Sequence, residues 1–372
     1  MPAPFRSIHD MSRSPFSATA TTVLSGLSTL LLLLPASASA YSAYGHQAIA
    51  ELACRHLTPT ARAAADELVA PYTLADFTIC SWPDFVRGDP DVERQYPHNQ
   101  AWHFIDFDAN TPYREGIPFV LENPVPGDDH IAAQIPCFAA ILADTTRTRA
   151  DRFDALRFLV HFLGDLHQPF HCIDRNHDVG ANLIPVRSFT GRYANNTAKD
   201  AAAVGERLCL HSVWDDEMVA ELREGRPYLF SLVLILDARL PRRLARSWLA
   251  GTARDWAVES YWIARRDGYY FTDGTPIPDR RLPPGLDLTL ENYIESHLPI
   301  LRLQLQRAGI RLAHLLNTAL DPAYTPDALP LPDPFQNTTP APWINTSLPE
   351  GTPPAYSGPD SPATLPEPVP AP

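Results

Sequence analysis

Seven histidine and aspartate residues stand in short, distinctive settings between positions 84 and 215 of the chain. Imidazole and carboxylate are the ligands that zinc and similar first-row metals take in proteins. One ion needs only about four such groups, so the set predicts a site with several metal ions. The fold must bring together segments that are far apart in sequence: Asp84, His103, His161, Asp165, His171, His211 and Asp215.

Residues 1–40 have the pattern of a secretory signal. Two arginines precede an apolar run at 23–34, and the small residues at 38–40 provide a cleavage site. The run is too short to span a bilayer, which disfavours the alternative of a membrane anchor. We therefore expect a secreted chain, extracellular or periplasmic, that begins at Tyr41 and has no membrane anchor. An eighth candidate ligand, His46, then lies close to the new N terminus.

Length and charge limit the classes of function. A chain of 372 residues can form one large domain or two small ones. The formal net charge is −13, so the chain lacks the basic surface with which proteins usually grip nucleic acid. A polyanionic substrate would therefore have to be held by bound metal.

The sequence predicts two regions after the signal. From 41 to 320, apolar residues recur with helical spacing, for example at 152–166 and 288–316, and sustained strand alternation is missing. From 321 onward, proline recurs every few residues and Lys and Arg are missing, which disfavours both helix and sheet. We predict one mainly α domain at 41–320, followed by a disordered Pro-rich tail at 321–372.

Two histidine–aspartate pairs have the i, i+4 spacing that places both side chains on one helix face. They are His161 with Asp165 and His211 with Asp215. A single such pair is more often a surface hydrogen bond, but His161 lies in an apolar segment, where a metal would offset the desolvation. His171 follows a helix break and can turn back to the same cavity. His167 either supports the ligands or lies at the surface.

Several motifs together resemble one known family. The chain contains, in this order, YSAYGHQAIAELA, SWPDFVR, WHFID, HFLGDLHQPFH, Asp178-Val179-Gly180-Ala181-Asn182, HSVWD, WAVES and AGIRLAHLLN. Their order and spacing resemble the S1/P1 nuclease family, the secreted zinc-dependent single-strand nucleases of fungi, plants and bacteria. The resemblance covers residues 41 to about 317. It implies a single helical domain of the zinc-dependent phospholipase C and P1 nuclease type.

The resemblance also implies three zinc ions. The first would be held by Asp84, His103, His161 and Asp165. The second would be held by His171, His211 and Asp215. The third would be held by His46, by Asp165 as a bridge, and by the free amine and carbonyl of Tyr41. Because that amine is free only after processing, maturation would complete the third site.

The activity implied by the resemblance is hydrolysis of single-stranded DNA and RNA to 5′-phosphorylated products, together with 3′-nucleotidase activity. Asp84 would orient the attacking water, and Arg87 would face the phosphate. Phe104 and Asp106 would bind a base by stacking and hydrogen bonding, which requires an unpaired base. Asn182 would contact the substrate from its loop. We expect the enzyme to be a monomer.

The chain departs from the usual family pattern in three places. Tyr41 replaces a Trp, and Gly180-Ala181-Asn182 replaces Gly-Gly-Asn, so the packing of Tyr41 and the position of that loop stay open. Some members carry a substrate-contacting lysine after WHFID, and here Arg114 is the candidate substitute. Substrate range and base preference therefore stay open.

Two alternatives to a nuclease remain. Zinc-dependent phospholipase C resembles these nucleases in fold and in its three-metal site, but Asp215 as the last ligand and the WHFID and SWPDFVR motifs favour a nuclease. The other alternative is a secreted metal-binding protein without catalytic activity. It is disfavoured because every expected ligand is present.

Export permits disulfides and, in some hosts, glycosylation. The favoured bridge joins Cys54 to Cys80, because it would pin the first helix to the segment that carries the first ligand. A second candidate bridge joins Cys172 to Cys209 and leaves Cys137 free. The sequons that a glycosylating host would modify are Asn195, Asn337 and Asn345.

Overall fold

The computed structural model describes residues 41, 43–111, 129–188, 208–223, 229–279, 281, 285–288 and 292–334. All of them belong to one compact unit. Helices dominate, which confirms the predicted mainly α fold class. Within these ranges no helix is both long enough and apolar enough to cross a membrane.

The α-helices fall into two groups along the chain. The first group is α1 (Ala43–Arg55), α2 (Pro59–Val69), α3 (Phe77–Cys80), α4 (Trp82–Phe85), α5 (Pro90–Gln95), α6 (Ile131–Ala143) and α7 (Arg149–His167). The second group is α8 (Leu210–Ser212), α9 (Met218–Leu222), α10 (Leu229–Ala238), α11 (Arg242–Ala245), α12 (Ala253–Ile263) and α13 (Tyr293–Leu320).

Shorter elements connect these helices. The 3₁₀ turns are Asn99–His103, Pro169–Cys172, Arg246–Leu249 and Pro326–Ala328, and the π-helical turns are Val213–Glu217 and Ala264–Gly268. Two short strands, β1 (Val186–Ser188) and β2 (Leu286–Asp287), pair in parallel. This pair is the only named sheet among the described residues.

Helix α7 lies at the centre of the fold and packs against α6, α13 and α1. Its C-terminal half is buried on all sides, so it is apolar except for the histidines and the aspartate that form the site. Helices α1 and α13 approach closely at Gly309, where a Cβ atom would meet the Cδ2 atom of Leu52 at 2.7 Å. Helix α1, which carries His46, also packs directly against α7.

The prediction of a disordered tail from residue 321 is wrong for residues 321–334. Leu329 is buried in the core, and arginine side chains bind the backbone carbonyl oxygens of this segment. Arg242 donates to Pro332 O at 2.9 Å, and the Nδ1 atom of His56 lies 2.8 Å from Pro330 O. A proline-rich chain has few donors of its own, so its carbonyl groups accept bonds from the domain. Residues 335–372 lie outside the described residues.

Removal of residues 321–372 should therefore destabilise the domain. The deletion exposes the cavity that Leu329 fills and removes the carbonyl acceptors of Arg242 and Arg246. We expect a loss of at least about 2 kcal/mol in unfolding free energy, seen as a fall in Tm of roughly 4 °C or more. Deletion of 335–372 alone is the matched control and should leave Tm unchanged. Equal Tm values for the two truncations would contradict this assignment.

None of the five cysteines, all of which lie in the described ranges, is bonded to another. The predicted Cys54–Cys80 and Cys172–Cys209 bridges are therefore not formed. The Sγ atom of Cys172 donates to Leu166 O at 3.4 Å, and that of Cys209 donates to the Oδ1 atom of Asn182 at 3.7 Å. The cysteines lie next to ligand segments in the sequence, but this position does not determine where their side chains point. The sequons at Asn195, Asn337 and Asn345 lie outside the described residues.

Candidate metal centre

Helix α7 supplies the two side chains around which the site is built. Thr148 caps the start of the helix by accepting a hydrogen bond from Asp151 N, which fixes where the helical register begins. His161 and Asp165 then lie one turn apart on the same face, and both are fully buried. Their Nε2 and Oδ2 atoms are 3.2 Å apart.

The first cluster consists of Asp84, His103, His161 and Asp165. The Nδ1 atom of His103 lies 2.9 Å from Asp165 Oδ2 and 3.1 Å from the Nε2 atom of His161. The Oδ1 atom of Asp84 lies 3.4 Å from His161 Nε2 and 3.6 Å from His103 Nδ1. The His161 ring is oriented by Cys80 O, which lies 2.8 Å from its other nitrogen, Nδ1. Helices α4 and α7 and the turn that ends at His103 thus meet at one point.

The third cluster consists of His46, His161 and Asp165, so it shares two members with the first. The His46 ring stacks on the His161 ring with centroids 4.1 Å apart. The Nε2 atom of His46 lies 3.3 Å from Oδ1 of Asp165, the oxygen that does not face His103. Asp165 therefore offers one oxygen to each of two neighbouring ligand sets.

The second cluster consists of His171, His211 and Asp215. His171 Nδ1 lies 2.7 Å from His103 O, and His211 Nδ1 lies 2.6 Å from Gly180 O. The two Nε2 atoms are 3.1 Å apart, and Asp215 Oδ2 lies 3.3 Å from that of His211. The turn 169–172 and the helical segment that begins with α8 bring these residues together.

The chemistry of the donor set tests whether a metal fits. A backbone carbonyl only accepts hydrogen bonds, so the Nδ1 atoms of His161, His171 and His211 must be the donors. In a neutral ring, Nε2 then carries a lone pair. In the second cluster two such lone pairs point at each other beside a carboxylate oxygen. A cation between them would be ligated by both nitrogens and the carboxylate. Among the described residues, three groups are able to hold a metal ion, and they correspond to the three clusters, except that the first group lacks Asp165.

The electrostatics of the first cluster also favour a bound cation. Burial, together with the guanidinium of Arg87, lowers the pKa of His103 to about 4. Burial opposes charge on His161 as well, but the carboxylates of Asp165 and Asp84 outweigh it and raise the pKa of His161 to about 10. The cluster therefore holds positive charge between its carboxylates, which is the charge that a metal ion supplies.

The predicted substrate-binding residues lie at different distances from the clusters. The NH1 atom of Arg87 is 3.7 Å from Asp84 Oδ1, so its guanidinium borders the first cluster. Phe104 and Asp106 are half-buried and follow His103 directly. Asn182 donates to Val179 O at 2.9 Å and accepts from Cys209, so these two hydrogen bonds hold its own loop. Arg114 lies outside the described residues.

The loop that carries Asn182 has an unusual backbone. Ala181, which stands where the family usually has glycine, is buried and has a left-handed φ of 64°. Gly180 is also left-handed, and a Cβ atom there would meet Phe170 O at 2.3 Å. Since Gly180 O orients His211, this loop conformation helps to position the second cluster.

The structure defines the surroundings of two positions that the sequence left open, His167 and Tyr41. His167 is fully buried, and Arg311 donates to its Nε2 atom at 2.8 Å, so it is not a surface residue. Its carbonyl oxygen accepts from the hydroxyl of Tyr41 at 2.9 Å, and Tyr41 is itself fully buried. The predicted N-terminal residue is therefore anchored at the end of the helix that carries His161 and Asp165.

Gly164 is required for the position of His46. A Cβ atom at Gly164 would meet the Nδ1 atom of His46 at 2.5 Å and its Cε1 atom at 2.6 Å. Gly164→Ala should push the ring out of the third cluster, and we expect metal affinity there to fall by at least roughly 10-fold. Metal content after competition with a chelator measures this effect.

Gly309→Ala is the matched control, because its Cβ atom would clash with the core residue Leu52 instead of a candidate ligand. It should lower Tm and leave metal content unchanged. If Gly164→Ala lowered only Tm as well, His46 would not be held in this way.

Comparison with known proteins identifies the family. The sequence model for S1/P1 Nuclease matches residues 41–321, and the chain belongs to this family, whose members are hydrolases that cleave phosphodiester bonds. Nuclease P1 of Penicillium citrinum is 26% identical over 286 residues, which cover 74% of this chain and 97% of that protein. Endonuclease 2 of Arabidopsis thaliana is 27% identical over 281 residues (73% and 88%). Nuclease S1 of Aspergillus oryzae is 27% identical over 248 residues (64% and 77%).

Proposed function

We propose that this chain is a secreted, monomeric zinc enzyme with three metal ions, which hydrolyses single-stranded DNA and RNA to 5′-phosphorylated products and also acts on 3′-nucleotides. Membership of the S1/P1 nuclease family supports the reaction class. The observation that carries the proposal is the convergence of His and Asp side chains into three largely buried groups, two of which share His161. Asp165 contacts both of these groups through its two oxygens.

The residues of each cluster suit zinc. Neutral imidazole and carboxylate oxygen are its usual ligands beside thiolate, and the buried rings are oriented from behind by backbone carbonyls. The third site would add the amine and carbonyl of Tyr41, freed by cleavage after residue 40. When bound, the ions would lower the pKa of a water molecule and stabilise negative charge on the phosphate and the leaving oxygen.

Asp84 and Arg87 would act directly on the reacting group. Asp84 is only partly exposed, and its carboxylate borders both histidines of the first cluster, so it can accept a hydrogen bond from the attacking water and orient it. The guanidinium of Arg87 lies beside it and would donate to a phosphate oxygen. In a chain with a net charge of −13, this arginine would give a local anchor for an anionic substrate.

Recognition of single strands would depend on residues next to His103. Phe104 and Asp106 are half-buried at the edge of the first cluster, where a base could stack on the ring and bond to the carboxylate. A stacked base must be unpaired, so duplex DNA would be a poor substrate. Asn182 would contact substrate only if its side chain turned away from Val179 O.

The test uses the purified protein with Tyr41 as its first residue. We expect EDTA-sensitive cleavage of denatured DNA and RNA, with 5′-phosphate ends on the products and release of phosphate from 3′-nucleotides. Duplex DNA should be cleaved at least roughly 10-fold more slowly. Hydrolysis of phosphatidylcholine vesicles without cleavage of DNA would indicate a phospholipase C, and absence of any hydrolysis with full metal content would indicate a binding protein.

A further inference from the structure

Gln168 has an amide group whose orientation is fixed by its neighbours. The residue ends α7, and its side chain is fully buried. The Phe170 N–H group donates to its Oε1 atom at 2.6 Å, which leaves Nε2 on the other side. The Nε2 atom lies 2.7 Å from the Oδ1 atom of Asp215 and donates to it. Because a backbone N–H must face an acceptor, the flipped amide would lose both bonds.

Because of this contact, the two carboxylate oxygens of Asp215 have different partners. Oδ1 accepts from Gln168, whereas Oδ2 lies 3.3 Å from the Nε2 atom of His211. Asp215 can therefore offer one oxygen to a metal ion in a fixed direction. The carboxylate is almost fully buried. Without the hydrogen bond from Gln168, its two oxygens could exchange places by rotation, and the other oxygen would then face the metal site.

We propose that Gln168 is a positioning residue, which makes Asp215 a one-oxygen ligand of the second cluster and holds this ligand at the C-terminal end of α7. This inference rests on the proposed zinc-dependent function. A neutral donor suits this position, because an arginine or lysine would cancel the negative charge that the metal site requires. The backbone oxygen of Gln168 also accepts from His171 N at 3.0 Å, so this residue contacts two of the three members of the cluster.

The experiment compares two buried glutamines. Gln168→Met keeps the volume but removes both hydrogen bonds, and zinc affinity at the second cluster should fall roughly 10–100-fold in chelator competition. Gln304→Met is the matched control. Gln304 is also fully buried and donates to His167 O and Ser260, but it does not touch a candidate ligand. The control should lose stability and keep zinc affinity.

A double-mutant cycle separates positioning from general disruption. If Gln168 acts through Asp215, the Gln168→Met/Asp215→Asn double variant should bind zinc no more weakly than Asp215→Asn alone. Unchanged zinc affinity in Gln168→Met, an equal loss in Gln304→Met, or additive losses in the double variant would each overturn the inference. A wild-type protein that bound no zinc would instead overturn the proposed function itself.

Discussion

One extra residue ahead of Tyr41 should abolish the third metal site and reduce hydrolysis of single-stranded DNA by at least about 100-fold. A free α-amino group has a pKa of about 7.7–8.0 and can bind zinc near pH 8, whereas an amide nitrogen cannot. Tyr41 is fully buried, and its hydroxyl is hydrogen-bonded to the end of α7, the helix that carries Asp165. Gly45 packs directly against Tyr41. A Cβ atom added at Gly45 would lie 2.6 Å from the Cβ atom of Tyr41.

The control removes a side-chain contact and leaves the amine intact. Tyr41→Phe, with Phe as the first residue, loses the 2.9 Å hydrogen bond to His167 O, but Gln304 still donates to that oxygen. We expect a less than roughly 10-fold loss of zinc affinity at the third site. Metal analysis and single-strand cleavage should be measured on the extended protein before and after proteolytic removal of the extra residue. Three zinc ions and a normal rate in the extended form would rule out the N terminus as a ligand.

Asp165→Asn should have the second large effect. Its two oxygens face different clusters: Oδ2 lies 2.9 Å from His103 Nδ1, and Oδ1 lies 3.3 Å from His46 Nε2. The amide has no negative charge and only one oxygen, so both ions that share this residue should be lost. We expect the second cluster to stay loaded and the hydrolysis rate to fall by at least about 100-fold.

Asp237→Asn is a suitable control for the removal of a buried carboxylate. Asp237 is fully buried but pairs with Arg55 at 2.6 Å and Arg242 at 2.7 Å, away from the three clusters. The control should lower Tm, because it leaves the partly buried guanidinium groups of Arg55 and Arg242 with a weaker acceptor, and it should retain full metal content. If Asp165→Asn also retained all its zinc, the first and third clusters would not share this ligand.

Local spacing predicted the helical fold and the two i, i+4 pairs, whereas the grouping of the ligand candidates into three sets came from the resemblance to the S1/P1 nuclease family. The i, i+4 pair on α7 places His161 and Asp165 on one face, and the apolar setting of His161 indicates its burial. The structure adds what spacing cannot provide, namely the stacking of His46 on His161 and the contact of Gln168 with Asp215. These contacts join segments that are distant in sequence, and they depend on how the helices pack.

Two predictions failed for the same reason. Proline density disfavours α-helix and β-sheet after residue 321, but it does not report whether arginines of the domain bind this segment, as Arg242 and Arg246 do at residues 329–332. The positions of Cys54 and Cys80 beside ligand segments suggested a bridge, but both thiols are free. In each case the outcome depends on tertiary contacts of side chains or carbonyl groups, which the local sequence does not reveal.

Metal analysis combined with cleavage of single-stranded DNA tests the central claim most directly. The protein that begins at Tyr41 should contain three zinc ions per chain, one for each group of ligands. Removal of the ions with a chelator should abolish cleavage, and zinc should restore it. A metal-free protein that cleaved single-stranded DNA at the full rate, or a protein that bound a single zinc ion and was fully active, would contradict the account.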